Sequence, residues 1–315
     1  MKRNIYSYSK LWMISFVLMG AACTNQVEDA IPVSDQPIGF SVQSDWKEIP
    51  NTRSDDGKTH FTQNDSIRIF GFHNGNQKFM YVVDDSGKGK GQLVTYDGEN
   101  WNYSPKRFWP KDGNLAFFAS YPENSILNDY ENHHMIYDQT VNPLKRDLLW
   151  GISIKDCVEE RKNNVEITMV HALAKVNISL DESLGDHIGS VVVSAYKTGW
   201  FSEAKNGGIP EWHVDDKTDI NIISTTFYKW TDNDKDLIKN NSVTVFILPE
   251  TITRIQMFAD FKPYDKIYDT DPSNKIQQYT FKAGKEYNLK ISSTGVQKEN
   301  TKSRSIAMSV RCVSE

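Results

Sequence analysis

Several short clusters in this sequence carry residue types that do chemistry in other settings. Gly87-Lys88-Gly89-Lys90-Gly91 has the glycines and lysines of a phosphate cradle. Such a cradle needs a helix N-terminus directly after it, so that aligned N–H groups point at the anion. Leu93-Val94-Thr95-Tyr96 follows instead, a strand pattern, and the glycine run reads as a hairpin turn. Asp232-Asn233-Asp234-Lys235-Asp236 alternates its acids as a calcium loop does but lacks the loop's glycine and closing glutamate, so it reads as a solvated turn. His133 and His134 are adjacent, and neighbours on a strand face opposite sides, which rules out joint chelation, and the pair reads as part of a surface loop. His171 sits in an apolar run and reads as a hydrogen-bonded core histidine. There is no G-x-S-x-G, H-E-x-x-H or P-loop motif. The sequence therefore nominates no catalytic residue, no metal ligand and no cofactor.

Cysteine chemistry is more informative. The three cysteines are Cys23, Cys157 and Cys312, too few for a disulfide framework, and there is no C-x-x-C pair. Cys157 and Cys312 read as small apolar residues whose pairing the sequence leaves open. Cys23 stands elsewhere: Lys2, Arg3 and Lys10 form a basic start, Leu11 to Leu18 an apolar core, and Gly20-Ala21-Ala22 a small-residue cleavage site immediately before it. The apolar stretch is too short to span a bilayer. The pattern is similar to a bacterial lipobox, in which the cysteine is acylated after the signal is cut, although Gly20 stands where leucine is usual. Residues 1–22 are accordingly expected to be a signal peptide and Cys23 the site of lipidation. Several acyl chains on one residue hold far more firmly than one, since each buried methylene adds ~0.8 kcal/mol.

The elements that follow are all strand-like. Aromatics make up 12% of the 315 residues, and valine, isoleucine and threonine are plentiful, which favours sheet over helix. A net charge of −5 without a basic cluster gives no support to nucleic-acid binding. After a polar stretch at 24–35, Ile38, Phe40 and Val42 alternate as a first strand. A turn-rich loop follows, IPNTRSDDGK at 49–58, with a solitary Arg53 placed where proteases cut. Candidate strands then recur at 66–72, 79–83, 92–96, 101–104, 115–121 and 147–154, separated by Asn, Asp and Gly, the pattern of two packed sheets. Asn163 to Leu180 is the longest apolar alternation. Its phase slips beyond Ala172, which predicts a bulge or bend. It is expected to open a second sandwich, continued at 190–196, 225–230, 242–248, 253–261, 276–281 and 287–292. Between them, 199–223 reads as a long loop carrying Trp200 and Trp212. Residues 293–304 read as a polar linker. Beyond it Ile306, Met308, Val310 and Cys312 form one face of a final strand, which either completes its own half or is meant for a neighbour.

Taken together, the chain resembles the fimbrillin family of Bacteroidetes, the FimA-like and Mfa-like lipoprotein pilins of type V pili. The motifs that carry the resemblance are DLLWG at 147–151 followed by MVHALAKVNISL at 169–180, Ile38-Gly39-Phe40 with Thr52-Arg53, Asp65-Ser66-Ile67, Trp109-Pro110 before FFASYP at 117–122, and GKEYNL at 284–289. The likeness runs from about residue 36 to 292. It implies two tandem transthyretin-like β-sandwiches, an all-β fold. On this reading 23–53 is tether plus removable first strand, 54–160 and 161–292 are the N- and C-terminal sandwiches, and 293–315 is linker plus candidate donor strand.

What the family implies about function is structural. An Arg-specific surface protease would cut after Arg53, the position matching the family's cleavage site. The strand bearing Ile38, Phe40 and Val42 would leave, and Ile306, Met308, Val310 and Cys312 of another pilin subunit would take its place. The partners so implied are other subunits, the lipoprotein-processing machinery, that protease, the outer membrane through the lipid, and a host or bacterial surface ligand. Two rival readings stand beside it. One is a non-polymerising surface lipoprotein that binds glycan or protein, with Trp200 and Trp212 as stacking platforms. The other is an anchor or tip subunit of the same pilus.

Overall fold

The computed structural model describes residues 31–44, 60–83, 85, 87–138, 147–181, 190–202, 211–214, 220–226, 228–230, 237–239, 242–249, 251–252, 254–258, 268–269, 279–292 and 295–303. The chain divides into Met1–Pro32 and Val33–Glu315, and every strand lies in the second unit. Among the described residues each regular element is a strand, the all-β class that the alternation predicts.

The main sheet runs in the order Phe40–Ser44, Val165–His171, Leu149–Asp156, Asn114–Tyr121, Ser66–His73, Gln92–Tyr96, Trp101–Asn102, with Gln77–Met80 also paired to Ser66–His73. Both of its faces are apolar. Phe70, Phe72 and Phe118 enter a cluster shared with Met135, Tyr137 and Phe201 from a second sheet, Thr198–Ser202, His134–Asp138, Ile126–Asp129, Gly89–Lys90, Val82–Val83. Ile67, Ile69, Leu115 and Phe117, one residue out of phase, are buried on the other side. A strand buried on both faces loses the polar alternation of a half-exposed one, and so SIRIFGFH and NLAFFASY read as near-continuous apolar runs.

The long apolar run at 163–180 breaks where its phase slips. It forms two strands, Val165–His171 and Ala174–Leu180, separated by Ala172 and Leu173, both fully buried. The expectation that the whole run opens the second half is corrected: Val165–His171 belongs to the main sheet, and only Ala174–Leu180 enters the next one, Ser242–Ile247, Ala174–Leu180, Lys285–Ser292, Gly295–Ser303. A further sheet comprises Ile220–Thr226, Ser190–Tyr196, Arg254–Phe258 and Tyr268–Asp269. Among the described residues all pairings are antiparallel except two. Phe40–Ser44 runs parallel to Val165–His171, and Lys285–Ser292 runs parallel to Ala174–Leu180.

Several elements depart from the sequence reading, among them Ile126–Asp129, which no expected strand covers, and Ile220–Thr226, which begins inside the expected loop. Val33–Pro37, within the expected tether, is a strand paired to Phe108–Pro110. The presumed linker contains the strand Gly295–Ser303, antiparallel to Lys285–Ser292. The long loop after Gly199 is interrupted by Thr198–Ser202, bridged at Trp200 to His213. His134 opens a strand rather than lying in a loop.

One buried ion pair sits on Ala174–Leu180. Lys175, 2% exposed, lies 3.6 Å from the Glu286 carboxylate. Asn177 donates to Glu286 and Asn288 at 2.7 and 2.9 Å and accepts from Thr244 at 2.7 Å, so polar side chains ladder across three strands.

Candidate strand-exchange site

The segment from Ile38 to Val42 is held from three sides. Its backbone is fixed first. The Ile38 N–H donates to the Arg107 carbonyl at 2.9 Å, and the Val165 N–H donates to the Gly39 carbonyl at 2.8 Å. The Tyr103 hydroxyl donates to the Ile38 carbonyl at 2.8 Å and accepts from the Arg107 N–H at 3.3 Å. One phenol thus links the segment to the loop ahead of Phe108–Pro110. Burial raises the Tyr103 pKa from its ordinary value of 10.0, against a smaller opposing effect of Arg107, and the phenol stays a donor through the neutral range.

Side chains complete the seat. Ile38, Phe40 and Val42 are 1%, 4% and 8% exposed, so the alternation read from the sequence is an inward face. Phe40 meets Phe117 edge-on at 5.4 Å and Tyr103 at 5.6 Å, and Trp109 closes on Phe117 at 6.2 Å. Phe40–Ser44 stands three places from Asn114–Tyr121 in sheet order, yet their rings touch. The main sheet must therefore curl over until its first strand covers its own middle. The curl begins at Gly151. The ladder between Leu149–Asp156 and Val165–His171 stops after Trp150 and Val170, and a side chain at Gly151 would come within 2.7 Å of Ile167 and 2.9 Å of the Thr168 carbonyl.

Among the described residues Phe40–Ser44 is the outermost strand of the main sheet, paired along one edge. On its other flank a cleft of about 480 Å³ is lined by Ser41, Gln43, His60, Phe61, Glu99 and Asn100. The far end of the sheet, Trp101–Asn102, approaches across this gap without pairing.

Ile38, Phe40 and Val42 are thus brought together on one seat. Cys23, Arg53, Ile306, Met308, Val310 and Cys312 lie outside the described residues. Cys157 is a buried free thiol, its pKa pushed up to about 11 by burial and then by Asp156 and Asp112, in keeping with an unreactive apolar role. The platform reading of Trp212 is corrected: the ring is buried in the core, and its indole N–H donates to the Ala172 carbonyl at 2.7 Å. Trp200 is half-buried, with His134 stacked on it at 3.4 Å and His213 at 4.5 Å, so protein rings already occupy the surface a sugar would need. His171 has the expected core role, its Nδ1 against the buried Asp147 carboxylate. Among the described residues no group of three His, Cys, Asp or Glu is arranged to hold a metal. Sequence reasoning missed Tyr103. Its aromatic type marks it for the core, but only the fold shows that its hydroxyl reaches Ile38.

No curated protein matches the chain. Among solved structures, a candidate cell adhesion protein from Bacteroides uniformis superposes with a TM-score of 0.52 at 18% identity, over 86% of this chain and 99% of that one. A fimbrial protein from Bacteroides vulgatus gives 0.49 at 16% identity, over 86% and 100%. The first likeness supports the fold. The family model described as fimbrillin-like matches residues 52–307, the greater part of the sequence, and the chain belongs to the fimbrillin-like family.

Proposed function

We propose that this protein is a structural, non-enzymatic subunit of a surface fimbrium that serves adhesion and assembles by strand exchange. In this reading residues 1–22 are removed, Cys23 is acylated and tethers the chain to the outer membrane, and an Arg-specific protease cuts after Arg53. The segment bearing Ile38, Phe40 and Val42 then leaves its seat. The strand carrying Ile306, Met308, Val310 and Cys312 of a neighbouring subunit replaces it. The two sandwiches inferred from the sequence are the building blocks that such a fibre repeats.

The observation that carries the reading is the parallel strand Phe40–Ser44, outermost in the main sheet and paired along a single edge among the described residues, with Ile38, Phe40 and Val42 turned into the core. No hairpin ties it to its partner, so its removal breaks no local connection. Burying three such side chains contributes roughly 5–9 kcal/mol at ~1.5–3 kcal/mol each. That is comparable with the ~5–15 kcal/mol that holds a whole domain together, so an emptied seat must be refilled. A replacement strand restores both the backbone pairing and the apolar cover. The buried Trp212 and the flanked Trp200 remove the aromatic platforms on which the glycan-binding alternative rests.

The test is assembly on the native cell surface. Wild-type material should give a denaturation-resistant ladder of multimers, and Arg53→Ala should give monomer of unchanged melting temperature. Fibres whose subunits retain an intact Arg53 would remove the cleavage step, and an uncleaved anchor subunit would then be the better reading.

A further inference from the structure

The seat of the first strand and the chain's own tail share a pattern. Ile38-Gly39-Phe40-Ser41-Val42 and Ile306-Ala307-Met308-Ser309-Val310 agree in isoleucine, serine and valine at the same three places. At the other two, the smallest residue is replaced by the next smallest, and one large flexible or aromatic apolar residue by another. Each place has a physical demand that the structure displays. The first side chain is enclosed, Ile38 being 1% exposed. At the second, an added Cβ on Gly39 would meet the Asn164 side-chain oxygen at 2.2 Å, so only a minimal side chain fits, with Asn164 rotating aside. The third faces the rings of Phe117 and Tyr103, partners as suited to a thioether as to a phenyl ring. The fourth points outward beside Glu166, and the fifth is buried opposite Ile167.

We infer that the tail is a same-direction copy of the first strand, and that it enters the seat parallel to Val165–His171 with Ile306 in the place of Ile38. This rests on the exchange reading above and adds to it a direction and a register. The match holds only when the two segments are read in the same sense. Reversed, the tail would set Val310 in the place of Ile38 and Ser309 over Asn164. In the inferred register Met308 lies opposite Val165, Ser309 opposite Glu166, Val310 opposite Ile167 and Arg311 opposite Thr168, by transfer from the pairing of Phe40 through Gln43. The Tyr103 hydroxyl, which donates to the Ile38 carbonyl, then donates to that of Ile306. The seat reads the entering strand through one phenol, one cramped position over Asn164 and three apolar places.

Pairs of cysteines on the outward face test this in the full chain, with Cys312→Ser to remove the competing thiol and a short thiol-bridging reagent applied to assembled fibres. Glu166→Cys with Ser309→Cys should bridge neighbouring subunits, and so should Thr168→Cys with Arg311→Cys. Bridging of Thr168→Cys to Ser305→Cys instead would show antiparallel entry, since that reading sets Ser305 in the place of Gln43. Fibres that form without any of these bridges would show another register. Either result overturns the inference and leaves strand exchange standing. Bridges formed inside single chains would keep the copied register and overturn polymerisation. Failure of the cleaved parent protein to form any multimer would overturn both. As a second reading of the cramped position, Ala307→Leu should abolish the multimer ladder while leaving the melting of the uncut monomer unchanged. Undiminished assembly of that variant would overturn the register.

Discussion

Tyr103→Phe isolates a side-chain hydrogen bond that grips the segment from Ile38 to Val42. The substitution keeps the ring that faces Phe40 and removes only the hydroxyl, which donates to the Ile38 carbonyl at 2.8 Å. That carbonyl belongs to a residue 1% exposed, so water does not replace the donor. Leaving a buried acceptor unsatisfied costs about 1–3 kcal/mol. Taking ~2 kcal/mol, the uncut protein should melt about 4–8 °C lower. After a cut at Arg53 the same loss should speed escape of the N-terminal fragment by about 30-fold, at ~1.4 kcal/mol per factor of ten. Melting of the intact chain and retention of the fragment on the cleaved body give the two readouts. A pH signature accompanies them. Because burial raises the Tyr103 pKa, the unfolded chain ionises first as pH climbs past the ordinary value of 10.0. The contribution of this phenol is therefore complete below pH 10.0 and declines above it. Tyr103→Phe should flatten part of that alkaline decline. If melting, retention and the alkaline slope all match wild type, the hydroxyl does not hold the strand.

Two further expectations concern other regions. Lys175→Met strips a buried carboxylate of its cation and should destabilise the protein by about 3–5 kcal/mol in urea melts, whereas Lys175→Met with Glu286→Leu should recover most of the loss; equal losses in both variants would refute the pairing. Cys23→Ser should release the protein from membranes or leave the precursor uncut, and a processed, membrane-bound Cys23→Ser protein would end the anchoring claim.

Much of the core was legible because alternation is a local signal. Ile38, Phe40 and Val42 announce an inward face within five residues, and the phase slip beyond Ala172 marks the place where one strand gives way to another. The sheet that each half of that run joins was not legible, since membership is decided by Phe40–Ser44 and Lys285–Ser292, both remote in sequence. Val33–Pro37 and Gly295–Ser303 were missed for a related reason. VSDQP and GVQKENTKS lack an apolar face, and they become strands only because a neighbouring edge offers unpaired N–H and carbonyl groups. Trp212 was misread because an aromatic in an aperiodic segment looks alike whether it sits in the core or on a surface. The grip of Tyr103 on Ile38 joins residues that no sequence window contains together.

The parallel pairing of Phe40–Ser44 also sets an order of events during biogenesis. These residues leave the ribosome early, but Val165–His171, against which they must lie, is made only after the intervening chain. Until then an apolar strand has no edge to join, and closing so long a loop carries an entropic cost that local hairpins avoid. The last strand of the main sheet to settle is thus the first of its strands to be synthesised. A nascent chain in that interval has the apolar strand but not yet the edge that receives it, so what must be shielded in an exported precursor is the strand itself, a condition the cut protein never meets.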